Sequence, residues 1–193
     1  MRGERIGFAL CGSFCTHKEA LEALERLAAE YETVIPIVSE AAASTDTRFG
    51  TAAAFLARLE ELTGRPALRS IRETEPIGPK GLLDILVIAP ATGNTLAKLA
   101  AGIADTSVTM AAKAHLRNRR PVVLAVSSND ALAAGARNIG ELLGRKGYYF
   151  VPFRQDSPQG KPASLVADFS QISRTVDAAL RGEQAQPLLL GRA

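Results

Sequence analysis

Apolar positions along this chain follow two rhythms. Unbroken or β-branched runs of strand length, at residues 6–11, 33–38, 85–89, 121–126 and 148–152, alternate with stretches where apolar side chains recur every three or four residues. Unbroken runs suit strands buried on both faces, as in a parallel sheet covered by helices. The other spacing marks helices with one apolar face: Ala20, Leu21, Leu24, Leu27 and Ala28 after Thr16, then residues 53–62, Leu96 to Ile103, 106–116, 131–143 and 164–180. Thr16 with Glu19 three residues on has the wording of a capping box. Residues 66–73 read as a short strand, 75–80 as a proline-stiffened loop and 153–162 as irregular. The alternation predicts an α/β protein, a three-layer, doubly wound parallel sheet with right-handed crossovers. It forms a single domain over residues 1–182, and residues 183–193 are expected to be a loosely ordered tail.

The polar positions say where chemistry belongs. In such sheets ligands sit beyond the carboxyl ends of the strands. Here the strand ends carry small or polar residues: Gly12-Ser13, Ser39, Thr92-Gly93-Asn94-Thr95 and Ser127-Ser128-Asn129. Hydroxyls, an amide and free N–H groups at a helix start can surround an anion. The lone Gly12 is not a dinucleotide fingerprint, because Phe14 and Cys15 stand where a Gly-x-Gly-x-x-Gly loop needs flexibility. A nicotinamide site on this chain is therefore disfavoured.

Charge and composition narrow the class further. The formal charge of +3 is mild, and only Arg117-Asn118-Arg119-Arg120 clusters basic residues. Without an aromatic-rich basic stripe, nucleic-acid binding is disfavoured. Two cysteines, Cys11 and Cys15, are too few for a disulfide-stapled secreted scaffold. No stretch approaches the apolar length of a membrane span, and a charged start runs straight into a strand, so a cytoplasmic protein is expected. No metal-ligand spacing is present. Cys15 at a helix start is a candidate thiol, although no His or second Cys stands at the spacing that would activate it.

The wording of the central segment is more specific than its pattern. Pro90-Ala91-Thr92-Gly93-Asn94-Thr95, with Ala97-Lys98 and then Gly102-Ile103-Ala104-Asp105, resembles the flavin-binding segment of the flavoprotein family, which includes the homo-oligomeric flavin-containing cysteine decarboxylases. The resemblance spans roughly residues 4–190 and implies a flavodoxin-like or Rossmann-like fold with an FMN site. FMN would lie against Gly12, Ser13 and Ser39, with Thr92, Gly93, Asn94 and Thr95 lining the rest. Residues 7–16, 46–50, 75–80, 89–100, 113–118 and 149–156 are most similar to one branch, whose members form one component of a two-component oxidoreductase. That branch implies a dinucleotide-binding partner, itself a candidate carrier of NAD(P), and oxidation of a small dihydropyridine dicarboxylate to the aromatic ring. It further implies the mother-cell cytoplasm of a sporulating bacterium and a homo-oligomer, for which the small face of Ala111 to Ala114 is a candidate contact.

Departures from the wider family matter. Its decarboxylases carry Pro-x-Met-Asn where this chain reads Ser127-Ser128-Asn129-Asp130, and neither His17 nor His115 matches their histidine base. An independent FMN-dependent decarboxylase and a non-catalytic scaffold for the partner remain the alternatives. No catalytic acid or base is assigned. A dicarboxylate calls for cations, and bidentate arginine suits it best. Arg48, Lys80, Lys113 and Arg154, each inside a branch-like stretch, are the candidates, with Arg48 first.

Overall fold

The computed structural model describes residues 1–191, so the last two residues of the expected tail lie outside the described residues. Strand β1 (Arg2–Leu10) leads through a tight turn to α1 (His17–Glu30), β2 (Tyr31–Val38), the short α2 (Glu40–Ser44) and α3 (Ala52–Thr63). Then follow α4 (Ile71–Thr74), β3 (Ile85–Ala91), α5 (Gly93–Ala101), α6 (Ser107–Leu116), β4 (Val122–Ser128) and α7 (Ala136–Leu143). The chain closes with β5 (Tyr148–Phe150), β6 (Phe153–Ser157), β7 (Lys161–Ala167) and α8 (Ile172–Leu180).

Strands lie in the order β2-β1-β3-β4, with β5 parallel beside the first half of β4. The chain leaves β1 to one side for β2 and returns to the other side for β3. That reversal opens a crevice beyond the carboxyl ends of β1 and β3, the position where doubly wound sheets bind ligands. All seven residues of β3 are buried, as its unbroken apolar run requires. Each fully buried Leu, Ile or Val there contributes roughly 1.5–3 kcal/mol of transfer free energy. Helices α1 and α8 pack together on one side of the sheet, and α5 contacts both α6 and α7 on the other.

Four local readings are corrected. Residues 66–73 form no strand: Leu68 makes a single bridge to Ile37, and Ser70 with Glu73 then closes a capping box that starts α4. The Thr16–Glu19 box does not form, because the Thr16 hydroxyl donates to the Ser13 carbonyl instead. The helix expected from residue 131 begins only at Ala136, after Ala133 and Gly135 turn their N–H groups onto the Asp130 carbonyl. Residues 153–167 are an antiparallel hairpin of β6 and β7, not an irregular stretch followed by a helix, so the last helix starts only at Ile172. β7 pairs with the outer half of β4 through Ser127↔Val166 and Ser128↔Leu165, adding an antiparallel edge to the parallel sheet.

The stretch after Gly182 runs against that edge. Gln184 acts as a one-residue strand, its side-chain amide accepting from the Phe150 N–H and donating to the Phe150 carbonyl. Leu188 and Leu190 pair with the backbone of Phe153. Ala111, Ala112 and Ala114 are buried within this chain, with Ala114 against Gly78, so they are not available as an oligomer contact.

Candidate functional site

Three strand ends and the hairpin enclose a cleft of ≈ 810 Å³. β1 delivers Gly12 and Ser13, β3 delivers Thr92, Gly93 and Asn94, and β4 delivers Ser127, Ser128 and Asp130. The β6–β7 hairpin supplies Arg154 and Ser164, while α1 turns Glu19, Glu22 and Arg26 toward the same space.

The floor is a hydroxyl network. Ser13 Oγ lies 2.7 Å from Ser127 Oγ, and Thr16 Oγ1 approaches Ser127 Oγ at 3.4 Å. At the start of α5, Thr92 caps the helix by accepting from the Thr95 N–H, which leaves the Gly93 and Asn94 N–H groups without intrahelical partners. The positive end of α5 thus opens toward the cleft. Gly93 is needed for space: a Cβ there would sit 2.7 Å from Ser128 Oγ and 2.8 Å from Asp130 Oδ1. Those two groups are themselves joined, Ser128 Oγ donating to Asp130 Oδ1 at 2.6 Å.

The expected cofactor residues divide. Gly12, Ser13, Thr92, Gly93 and Asn94 line the cleft. Ser39 stands beside the end of β1, its N–H bonded to the Leu10 carbonyl, but its hydroxyl accepts from the Ala42 N–H to cap α2. Thr95 is buried beneath the turn and donates to Cys11 Sγ at 3.2 Å. Burial pushes the Cys11 thiol up to about 11, partly offset by that bond, so it stays protonated. Cys15 is exposed at the cleft mouth, 3.8 Å from Ser13 Oγ.

The four candidate cations are not brought together. Arg154 alone lines the cleft, and its guanidinium has no hydrogen bond or ion pair among the described residues. Its charge faces Asp168. Burial would raise the Asp168 carboxyl, but hydrogen bonds from Ser170 and Gln171 with nearby Arg154 bring it below its ordinary value. Arg48 lies on an exposed turn with its guanidinium 4.9 Å from the Phe49 ring, and Asp46 accepts from the Ala52 N–H rather than pairing with it. Lys80 and Lys113 are exposed where residues 75–81 pack on the end of α6, through Asn118 Nδ2 donating to the Gly78 carbonyl. Because Arg117 to Arg120 lead into the amino end of β4, this is the opposite end of the sheet from the cleft.

Sequence reasoning missed Arg26, which donates to the Phe169 carbonyl on the cleft wall. Glu19, Glu22 and Arg26 share one face of α1 by spacing, a signal visible in the sequence, but only the hairpin makes that face a wall. A second groove of ≈ 520 Å³ runs between α1 and α3, lined by Phe14, His17, Leu21, Phe49 and Phe55. His17 is packed into it, its ring stacked 4.4 Å from Phe55 and its Nε2–H bonded to the Cys11 carbonyl. Among the described residues there is no cluster of His, Cys, Asp and Glu able to hold a metal ion, and no helix long and apolar enough to cross a membrane.

A doubly wound sheet with hydroxyls and open helix N–H groups at its switch point defines a nucleotide- or flavin-type α/β protein, and the family model "Flavoprotein" matches residues 1–167. The chain belongs to the flavoprotein family. It is 46% identical over 190 residues to the dipicolinate synthase B-subunit of Bacillus subtilis (strain 168), covering 98% of this chain and 95% of that protein. The crystal structure of the dipicolinate synthase B-subunit from Bacillus halodurans C matches with a TM-score of 0.90 and 44% identity, over 99% of this chain and 98% of that one. The FMN-dependent cysteine decarboxylase SpaF shares the fold, with a TM-score of 0.66 at 24% identity, over 92% of this chain and 95% of its own.

Proposed function

We propose that this chain is the flavoprotein-type component of a two-component dipicolinate synthase. It works with the dinucleotide-binding A-subunit of that enzyme to oxidise dihydrodipicolinate to dipicolinate, pyridine-2,6-dicarboxylate, in the mother-cell cytoplasm of a sporulating bacterium. The observation that carries the reading is identity of 46% along nearly the whole length of both chains to a dipicolinate synthase B-subunit.

The cleft residues fit FMN. Gly12, Ser13, Thr92, Gly93 and Asn94 offer neutral N–H and hydroxyl donors suited to a phosphate and a polar ring edge, in a volume within the ~300–1,000 Å³ common for such sites. Ser39 and Thr95 support these turns from behind. Bound FMN supplies a two-electron acceptor, as NAD(P) on the dinucleotide-binding partner also would. The residues of this chain bind and orient: Arg154 takes a substrate carboxylate, and the hairpin walls one side of the cleft. Self-assembly is part of the reading, since an FMN-dependent UbiX-like decarboxylase from Escherichia coli O157:H7 with the same fold is described as dodecameric.

The test is reconstitution. Purified chain, alone and with the dinucleotide-binding partner, is loaded with FMN, desalted, scanned through the visible range and assayed for dipicolinate from dihydrodipicolinate. Retained flavin and product formation only with both components are expected. Product from the partner without this chain at the same rate would refute an obligatory role, and decarboxylation of a cysteinyl peptide would favour the independent decarboxylase.

A further inference from the structure

Aromatising a dihydropyridine requires a proton acceptor, and among the described residues no histidine lines the cleft. His17 is bound to the Cys11 carbonyl in the neighbouring groove, and His115 to the Pro121 carbonyl at the opposite end of the sheet. Of the carboxylates on the cleft wall, Asp156 is taken by Lys161 at 2.8 Å, and Asp168 by Ser170 and Gln171. Glu19 and Glu22 also line the cleft from the exposed face of α1, but among the described residues no hydrogen bond anchors either carboxylate.

Asp130 differs from all of these. It rises from the carboxyl end of β4 directly against the start of α5, close enough that residue 93 has to be glycine for the Ser128–Asp130 pair to keep its place. Ser128 Oγ holds Oδ1 at 2.6 Å, while Oδ2 has no hydrogen bond among the described residues. Two tight N–H bonds to its carbonyl, from Ala133 at 2.9 Å and Gly135 at 3.0 Å, fix its backbone. A carboxylate with one oxygen anchored and the other open to a cleft is the arrangement of a general base.

We propose that Asp130 is the proton acceptor of the oxidation, with Ser128 and Gly93 as its positioning residues. The inference rests on the reading of the chain as a component of dipicolinate synthase. In the reaction one ring hydrogen leaves as hydride, with its electron pair, to a two-electron acceptor of the flavin or nicotinamide class. A second ring C–H bond breaks toward Asp130 Oδ2; its electron pair becomes the new ring double bond and its proton makes Asp130 a carboxylic acid. Exposed to solvent, that acid returns the proton to water.

The experiment uses the reconstituted two-component complex with Asp130→Asn, Asp130→Glu and Ser128→Ala. Asp130→Asn should lower kcat on the order of 100-fold or more, the usual scale for a lost general base. Dipicolinate affinity should stay within about threefold, because the amide keeps size and position. Asp130→Glu, which keeps the carboxylate, should retain more activity than Asp130→Asn. Ser128→Ala, which frees Oδ1 from its anchor, should lower kcat about tenfold with KM little changed, a split that a merely structural role would not give. A readout free of oxidant follows deuterium entering the substrate ring from solvent by NMR: the wild-type complex should exchange it and Asp130→Asn should not. Wild-type turnover with Asp130→Asn keeping more than a third of kcat, or exchanging ring deuterium as the wild type does, would overturn the role of Asp130 and leave the reading of the chain intact. A wild-type complex that forms no dipicolinate would overturn both.

Discussion

The hydroxyls of Ser13 and Ser127, from the ends of β1 and β4, meet at 2.7 Å beneath the cleft. Ser127 also pairs its backbone with Val166 of β7, so one residue ties the Gly12–Ser13 turn to the hairpin. The two partners are not equivalent. Ser127 is 8% exposed, whereas Ser13 faces the cleft and can turn to water. Removing Ser13 strands the Ser127 hydroxyl on a single long contact of 3.4 Å with Thr16 Oγ1, whereas removing Ser127 leaves Ser13 open to the cleft. Ser13→Ala should therefore cost about 1–2 kcal/mol and Ser127→Ala less than about 1. The double variant should lie near Ser127→Ala, because the stranded group is then gone. Urea unfolding of the three variants checks the order, and additive losses would show that the two hydroxyls are not coupled.

Two glycines make a contrast that separates stability from activity. A Cβ at Gly78 would meet the Ala114 backbone carbonyl at 2.5 Å, and a helix carbonyl cannot yield without moving α6. A Cβ at Gly93 would meet only the ends of two side chains, Ser128 and Asp130. Gly78→Ala should thus destabilise by about 1–3 kcal/mol, the scale of overpacking, and leave the kcat of the folded fraction unchanged. Gly93→Ala should leave the melting temperature nearly unchanged while displacing the Ser128–Asp130 pair, with kcat down about tenfold or more if that pair holds the base. Thermal melts beside turnover in the reconstituted complex give the answer. A large loss of stability in Gly93→Ala would mean that the pair cannot move aside.

What the sequence made legible is what depends on neighbours along the chain. The fully apolar run of β3 and the helical spacing from Leu96 carry their own signals, and both elements form, with α5 starting three residues earlier at Gly93 because Thr92 caps it. The hairpin carries none. Leu165 and Val166 fit a helix running on to Leu180 as well as they fit a strand, and only Ser127 and Ser128 of β4 decide between the two. Similar wording also has different outcomes: Ser70 with Glu73 closes a capping box, while Thr16 with Glu19 does not, because the Ser13 carbonyl claims the threonine hydroxyl first. Asp130 was visible as part of a polar strand end. Its closeness to Gly93 is a property of two crossovers, which no spacing along the chain encodes.

His115 gives the fold a pH dependence with a definite sign. It is 1% exposed, its Nε2–H donates to the Pro121 carbonyl at 3.1 Å, and burial pushes its pKa down from 6.5 to about 4. Between those values the unfolded imidazole is protonated and the native one is not, so the unfolded chain binds more protons and stability falls as pH falls. The loss approaches about 1.4 kcal/mol per pH unit and totals on the order of 3 kcal/mol across the window. His17 is also lowered by burial and adds a contribution of the same sign. Asp84 acts below this window: its hydrogen bonds from Arg5 hold its carboxyl low, so the stability it confers is kept until pH falls through the acid range. Urea midpoints from pH 7 to 4.5 should fall steeply for the wild type and less steeply for His115→Gln, with the residual slope due to His17. Parallel curves would exclude His115 as the source.

Arg154 is the cation that should matter to the substrate, and the other three candidates provide its controls. It enters the cleft from β6 with an uncommitted guanidinium, while Lys80 and Lys113 lie at the far end of the sheet and Arg48 rests on Phe49. A charge-assisted hydrogen bond to a carboxylate is worth roughly 1.5–3 kcal/mol, so Arg154→Gln should raise KM for the dicarboxylate by about 10- to 100-fold. The value of kcat should change little, since a carboxylate is held alike in the ground and transition states. Arg154→Lys should recover only part of the loss, because an ammonium cannot grip both carboxylate oxygens in one plane. Lys80→Gln, Lys113→Gln and Arg48→Gln should leave KM within about twofold, the size expected of distant solvated charges. Asp168 sharpens the test. Its carboxylate lies close enough to Arg154 to be stabilised by it, so Asp168→Asn frees the guanidinium from a competing anion and should lower KM. If Asp168→Asn instead raises KM as Arg154→Gln does, the pair serves to shape the hairpin, and the carboxylate site lies elsewhere in the cleft, with Arg26 the next cation on its wall.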